Sequence, residues 1–518
     1  MTIYGRAREF IDAGINDKAL GLLVEHLSSN PQDSDAWALG AQAFAALGLY
    51  VEAHASIAQA LALYPDHLEA LLARGQTQQL EGDEAEAEQT YRYAERQHPR
   101  SARPACRLGW LLLRRARHDE ARQALGRALA VAPGLVSALS GLAMILEHAG
   151  ESHRAVKILT PHVVVDRPHP LLTFAWGRAM VTTGRGRDAL PTLRAALLLA
   201  DQRTDRVNLL HLIGDCLNAT SNTAGAFRSY TQANALRTRT FDGPKHLDAV
   251  RLMTRHVPRP GLARPSPRTG RALLVVGIPR SGTSLVETML CRHPDLAPAG
   301  ELEAWRHLAQ HAADHSGSDP WYRYPERLST SLLDDLAKSY GDTLDGVDGT
   351  ARRVVDKMPN NQLHLGLAAW AIPDLVVVHC VRDPADTAWS CFRLPLQDGL
   401  AFTTCWSGLA HWIRAERELM AHWTATLDVP IIQVRYEDLV RNPECQLRPV
   451  LDAAGLPWTE DVARHSGTLR TVATASYAQV RKPLYTSSIG RSKPYHHLMT
   501  EFFDTWASFG PPAASRAA

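Results

Sequence analysis

Ala19, Ala53, Ala87, Ala121, Ala155 and Ala189 stand 34 residues apart, and Gly14, Gly48, Gly82, Gly150 and Gly184 keep the same step, with Ala116 in the fourth place of that second series. Pro31, Pro65, Pro99 and Pro133 repeat it a third time. A period of this length accommodates one pair of antiparallel helices. Small residues let the two helices close up, and the proline punctuates the turn to the next pair. The N-terminal half is therefore constrained to a stack of helical hairpins, an all-α solenoid.

The period is the signature of tetratricopeptide repeats. Six repeats are clear, and a seventh at about 205–238 carries Ala226 three residues out of phase, so residues 1–240 are assigned to the array. The register slips once: Pro168 lies 35 residues after Pro133, within an unusual segment from His162 to Pro170. Such an array either buries its own helices as a scaffold or presents a groove to a peptide or protein.

Residues 241–270 read as a helical and Pro-rich linker. Its second half, from Val257, holds Pro258, Pro260, Pro265 and Pro267 with Gly261 and Gly270, which no regular helix tolerates. Beyond it, apolar runs at 273–276, 353–355, 375–380 and 431–435 alternate with helical stretches. That pattern predicts an α/β domain with a parallel sheet over residues 271–500. Ligands of such sheets bind at the carboxyl ends of the strands. Residues 501–518 are left as a C-terminal tail.

Formal charge is +2, with 56 Lys and Arg against 54 Asp and Glu, so no global field favours nucleic acid or a membrane surface, and an anion site must be local. The first residues carry charges where a signal peptide has an apolar core, and no run reaches a membrane span. A cytoplasmic location is expected. Seven scattered cysteines without a CxxC pair predict free thiols and no metal site.

At the end of the first apolar run, Gly277 opens a turn, Ile278-Pro279-Arg280-Ser281-Gly282, which enters a helix at Thr283 and Ser284. Glycines admit an anion close to the backbone, and the first N–H groups of a helix point at it. A Walker A loop would place Lys just before its final Ser or Thr; here that position holds Thr283, before Ser284, and Arg280 is the cation of the turn. About a hundred residues on, Val381-Arg382-Asp383-Pro384 ends a β-rich run, and Ser390 falls two turns into the helix that Pro384 begins.

These two segments resemble the 5′-phosphosulfate loop and the 3′-phosphate element of sulfotransferases that use 3′-phosphoadenosine 5′-phosphosulfate (PAPS). The resemblance covers residues 271–500 and implies a P-loop-like domain binding PAPS through Pro279, Arg280, Ser281, Gly282, Thr283, Ser284, Arg382 and Ser390. It adds Tyr436 on the donor nucleotide, and Ser476 and Arg491 from the closing loop. Lys357, at the end of a short strand, is placed to stabilise the leaving group. The chain is most similar to protein-tyrosine sulfotransferases, whose catalytic Glu is matched by Glu301, 21 residues after Arg280; Glu303 is the rival base. Catalysis would rest on Glu301, Lys357, Arg280 and Ser476, with no metal.

The implied activity is sulfuryl transfer from PAPS to a hydroxyl, that of tyrosine in a peptide or protein held by the repeats. A saccharide or small metabolite is the second acceptor class. A nucleotide-binding kinase and a noncatalytic repeat adaptor are readings from other classes, and a homodimer is left open. Trp305, Trp370, Trp389, Trp406 and Trp412 read either as core or as an acceptor cleft.

Overall fold

The 34-residue period becomes six helical hairpins: α1–α2 (Ile3–Asp12, Asn16–Ser29), α3–α4 (Ser34–Ala46, Tyr50–Leu63), α5–α6 (Leu68–Glu81, Glu84–Gln97), α7–α8 (Ala102–Arg114, His118–Val131), α9–α10 (Val136–His148, Ser152–Val163) and α11–α12 (Pro170–Thr182, Gly186–Leu199). The computed structural model describes residues 2–115, 117–237, 240–257, 271–317, 320–396, 400–464 and 484–510. The chain divides into two units, Met1–Asp205 and Arg206–Ala518.

In the first unit the periodic residues do two different jobs. The six alanines, from Ala19 to Ala189, have no exposed surface. The five glycines instead close the turns of their hairpins, with φ from 73° at Gly14 to 97° at Gly82, a region that side chains disfavour. Close helix approach uses other glycines. A Cβ on Gly75 would stand 2.5 Å from the Tyr91 ring, and one on Gly109 2.6 Å from Leu125, the same pairing one repeat later. The slip at Pro168 is absorbed by bends at 164–167 before α11 starts at Pro170.

The seventh hairpin, α13–α14 (Arg203–Ala219, Thr223–Ala235), belongs mostly to the second unit, so the array is divided at 205 rather than at 240. Phe227 stacks on Trp406 at 5.7 Å and on Phe392 at 6.1 Å. Asn234 Nδ2 donates to the Phe392 carbonyl at 2.8 Å and Arg237 Nη2 to that of Leu396 at 2.6 Å. The first half of the linker is likewise core. Helix α15 (Gly243–His256) buries Leu247, Val250 and Met253 in one cluster with Ala415, Leu419 and Met420. Residues 258–270 lie outside the described residues.

The second unit is built on five parallel strands, β1 (Ala272–Gly277), β2 (Leu296–Gly300), β3 (Arg353–Asp356), β4 (Val376–Val381) and β5 (Ile431–Arg435), in the order β2-β3-β1-β4-β5. Strand β2 has no counterpart among the apolar runs. It reads Leu-Ala-Pro-Ala-Gly and sits at the sheet edge, where a proline without an N–H is tolerated, with a register shift between Pro298 and Gly300.

All six residues of β1 are buried, the mark of a sheet covered on both faces. Ala272, Leu274 and Val276 enter a cluster with residues of α15, α17 (Ala304–Ser316), α18 (Thr330–Val347), α19 (Leu365–Ala371) and α21 (Trp406–Thr426). Leu273 and Val275 enter another with α16 (Thr283–Leu290), α22 (Tyr436–Leu439), α23 (Pro443–Ala453) and α24 (Glu460–Ala463). Helix α20 (Pro384–Phe392) follows β4. The chain crosses from the β3 side of β1 to its β4 side, so the crevice of such a sheet opens beyond the carboxyl end of β1.

One expectation needs correction. The segment 501–518 is not a tail throughout: α25 (Thr500–Ser508) forms, and Phe502 is buried. Residues 511–518 lie outside the described residues. Trp305, Trp389, Trp406 and Trp412 are all buried, in keeping with the core reading, and Trp370 packs against the cluster that holds Trp305. Among the described residues no helix is long and apolar enough to cross a membrane.

The out-of-phase seventh repeat supplies a test. Ser221 holds φ 59° in the turn between α13 and α14, where five of the six earlier hairpins use glycine. Ser221→Gly relieves left-handed strain at some cost in backbone entropy and is expected to raise stability by about 0.5–1 kcal/mol, read from urea unfolding.

Candidate active site

The turn after β1 is shaped by close approach. Gly277 has φ 143°, and a Cβ there would stand 2.5 Å from the Cys380 carbonyl oxygen on β4; Gly282 has φ 108°, and its Cβ would stand 2.9 Å from the Tyr436 ring. Arg280 itself takes φ 74°. Backbone strain of this kind needs over-determining contacts, and Arg280 has one in its Nε, which donates to Ser390 Oγ at 3.2 Å. The two phosphate motifs, 110 residues apart, are thereby in direct contact. Thr283 and Ser284 open α16 and are buried. Pro279 accepts from the Cys391 thiol at 3.2 Å through its carbonyl.

Arg382 extends the contact. Its Nη1 donates to the Arg280 carbonyl at 3.2 Å, its Nη2 to that of Ser488 at 2.6 Å, and its guanidinium lies 4.6 Å from the centre of the Tyr436 ring. Tyr436 is buried, and that burial raises its phenol pKa. The closing segment is pinned by Asp386, whose carboxylate accepts from Gly490 N at 2.6 Å and Ser492 N at 2.8 Å. Arg491 follows Gly490 on that segment. Ser476 lies outside the described residues.

The electrostatics mark an anion site. Burial, with the positive charges of Arg393 and Arg382 nearby, holds the Arg280 guanidinium down at about 10. The Arg393 charge lowers Arg491, which is exposed. Burial alone would lower Arg393 too, but the Asp215 carboxylate, accepting from Nη1 at 3.2 Å, and Tyr230 hold it raised. Arg393 and Arg382 destabilise the charge of Arg280, and Arg393 that of Arg491, which leaves a guanidinium cluster in place for a multiply charged anion. Two buried atoms, Ser281 Oγ and Arg382 Nε, have no hydrogen-bond partner among the described residues, as a ligand-binding cradle requires. The residues present therefore fit a bisphosphate nucleotide. Arg393 and Asp215 were not among the sequence candidates.

On the other side of β1, β3 ends at Asp356 and delivers Lys357. The side chain is buried, which excludes a solvated surface lysine. Its Nζ donates to Glu301 Oε1 at 2.5 Å and lies 3.9 Å from Glu287 Oε2, while its backbone N–H donates to the Gly300 carbonyl at 2.8 Å. The Glu301 side chain is 44% exposed, so this carboxylate meets both the buried ammonium and solvent. Glu303 forms an ion pair with Arg306 instead, and its side chain is 56% exposed. Asp356 accepts from Tyr340 Oη at 2.8 Å and Asn361 Nδ2 at 3.1 Å; burial raises its carboxyl to about 7.

Glu287 is the participant that sequence reasoning passed over. It sits one turn into α16 with 3% exposure, and its Oε1 accepts from Gly300 N at 3.1 Å. Burial pushes its carboxyl up to about 7, with Lys357 opposing the rise.

Comparison with known proteins bears on this arrangement. Residues 272–460 match the model of the sulfotransferase family, and residues 40–102 and 106–159 match that of the tetratricopeptide repeat. Residues 272–460 are a sulfotransferase-family domain. The chain is 33% identical over 241 residues to an uncharacterized protein of Aquifex aeolicus, covering 44% of this chain and 31% of that one. It is 22% identical over 202 residues to protein-tyrosine sulfotransferase A of Caenorhabditis elegans (38% and 53%) and 25% over 214 residues to protein-tyrosine sulfotransferase 1 of Danio rerio (40% and 60%). The chain thus spans from about a third to three fifths of the length of these relatives. In the sulfotransferase domain, Arg280, Lys357, Glu301, Arg382, Ser390 and Tyr436 lie within the matched residues, and Ser476 and Arg491 lie beyond them.

The raised carboxyl of Glu287 has a measurable consequence. Its folded-state pKa of about 7 exceeds the ordinary 4.5, so the folded protein keeps a proton that the unfolded chain has lost. Its contribution to stability is present below the unfolded pKa and falls as pH rises through the folded one. Relative to Glu287→Gln, the wild type is expected to lose a few kcal/mol between about pH 4.5 and 7, then run parallel, in urea unfolding across pH.

Proposed function

We propose that this domain transfers a sulfuryl group from PAPS to a hydroxyl, that of tyrosine in a peptide or protein bound by the repeats. The observation that carries the reading is the Lys357 ammonium 2.5 Å from the half-exposed Glu301 carboxylate, just past the ends of β3 and β2. Supporting the tyrosine acceptor are the 21-residue spacing from Arg280 to Glu301 and the two tyrosine-sulfotransferase relatives.

PAPS supplies the sulfuryl group; its bridging S–O bond breaks with the electron pair left on the phosphate oxygen as a new S–O bond forms to the acceptor. Glu301 takes the acceptor's proton. The Lys357 ammonium supplies positive charge where the leaving oxygen becomes negative, and the buried setting strengthens that interaction. Arg280, Ser281 and the first N–H groups of α16 hold the 5′ side, while Arg382 and Ser390 hold the 3′-phosphate, with Arg393 and Arg491 adding charge. Positioning and electrostatics carry most of the rate.

Mass spectrometry after incubation with PAPS tests the acceptor. One added sulfonate on tyrosine peptides is expected, and sulfonation of saccharides alone would move the substrate to the second class. Glu301→Gln is expected to lower turnover by roughly 10²–10⁴-fold. Arg280→Ala and Arg382→Ala should each weaken 3′-phosphoadenosine 5′-phosphate by roughly 10–100-fold, measured by calorimetry. Stabilisation of the protein by ATP–Mg but not by that bisphosphate would favour a kinase instead.

A further inference from the structure

The Lys357 ammonium poses a problem for the reaction just described. Bonded to Glu301 Oε1 at 2.5 Å, it neutralises the carboxylate that must accept a proton. The contact occupies a carboxylate oxygen needed for the acceptor's proton, and a lysine so paired is poorly directed at a leaving oxygen. Some second group has to compete for the ammonium.

The buried surroundings offer one candidate. Glu287 Oε2 lies 3.9 Å from Nζ and is buried with no hydrogen-bond partner among the described residues, while Oε1 of the same carboxylate is anchored by the Gly300 N–H. Such an anchored carboxylate with a spare oxygen is oriented rather than free to rotate. Its anchor is the residue next to Glu301, so one side chain fixes both the turn that carries the base and a second position for the lysine.

We propose that Glu287 is a positioning residue that offers the Lys357 ammonium a second carboxylate, drawing it off Glu301 so that Glu301 can take the acceptor's proton. The inference rests on Glu301 being the base. No bond other than the acceptor's O–H changes at these three residues: the proton passes to Glu301, and the ammonium keeps its own protons as it moves between carboxylates.

The charge balance makes the exchange sensitive to pH. One ammonium and two ionised carboxylates leave a net negative charge in a buried site, and a proton on Glu287 removes it. The titratable groups around Glu287 are Lys357 and Asp356 from the end of β3, Glu301 after β2, and Cys291 just past the end of its own helix. Strand β1 contributes apolar residues, and Glu460 and Asp461 of α24 are exposed. Protonated Glu287 leaves the ammonium on Glu301; ionised Glu287 competes for it. Burial places this change at about 7.

Glu287→Gln keeps a carbonyl oxygen for the Gly300 N–H and cannot ionise. At saturating PAPS and with a tyrosine peptide as acceptor, wild-type turnover is expected to rise through about pH 7, and the variant to stay at the wild type's acid plateau, roughly 10-fold below its maximum, with the KM for PAPS within about twofold. Glu287→Asp, which ionises, should restore part of the rise. In the ligand-free protein, infrared difference spectra should show two buried carboxyls, Glu287 and Asp356, losing their protons near neutral pH in the wild type and only that of Asp356 in Glu287→Gln. A variant that follows the wild-type pH profile, or identical infrared titrations, overturns the inference while leaving Glu301 as base. Full turnover by Glu301→Gln overturns the base assignment itself, and this inference with it.

Discussion

A lysine ammonium buried at a strand end has to be paired with carboxylates, because an unpaired charge there costs several kcal/mol. At the end of β3 that requirement draws three chain segments together: the β3 terminus through Lys357, the turn after β2 through Glu301, and α16 through Glu287. The backbone follows the same joint, since Gly300 donates to Glu287 and accepts from Lys357. The helix that opens the anion turn is thus tied to the segment that bears the proposed base, and donor and acceptor chemistry share one rigid element.

The opposite side of β1 answers a different constraint, the crowding of like charges. Arg382 and Arg393 raise the cost of charging Arg280, and Arg393 that of Arg491, and the protein sets against this the Asp215 carboxylate on Arg393, the Ser390 hydroxyl on Arg280 and backbone carbonyls on Arg382. Asp215 comes from the seventh hairpin. This hairpin has become part of the second unit's core through Phe227 and supplies the counter-charge for the site, which accounts for its departure from the 34-residue register.

Much of this was legible in the chain because local rules govern it. Periodic alanines and glycines specify hairpins by sterics alone, and the turn from Gly277 to Ser284 and the strand end at Arg382 announce themselves through residues that few other structures need. What was hidden depends on tertiary burial. Glu287 lies in an amphipathic helix where a carboxylate reads as surface; only the sheet and the Gly300 turn bury it. Arg393 and Asp215 are 178 residues apart, and no spacing rule links them. Strand β2, with proline and glycine among its five residues, lacks β-propensity and exists because β3 offers an edge. The Lys357–Glu301 contact joins two residues that were singled out separately, in different roles.

That contact is the centre of the account. The most direct measurement is a double-mutant cycle in single-turnover transfer, with Lys357→Met, Glu301→Gln and the two combined, each checked for native unfolding behaviour. Groups that act as a unit lose their effect together, so the combined variant should be little slower than the slower single one. Losses that multiply as if the two residues were independent, or a Glu301→Gln variant at wild-type rate, would contradict the account.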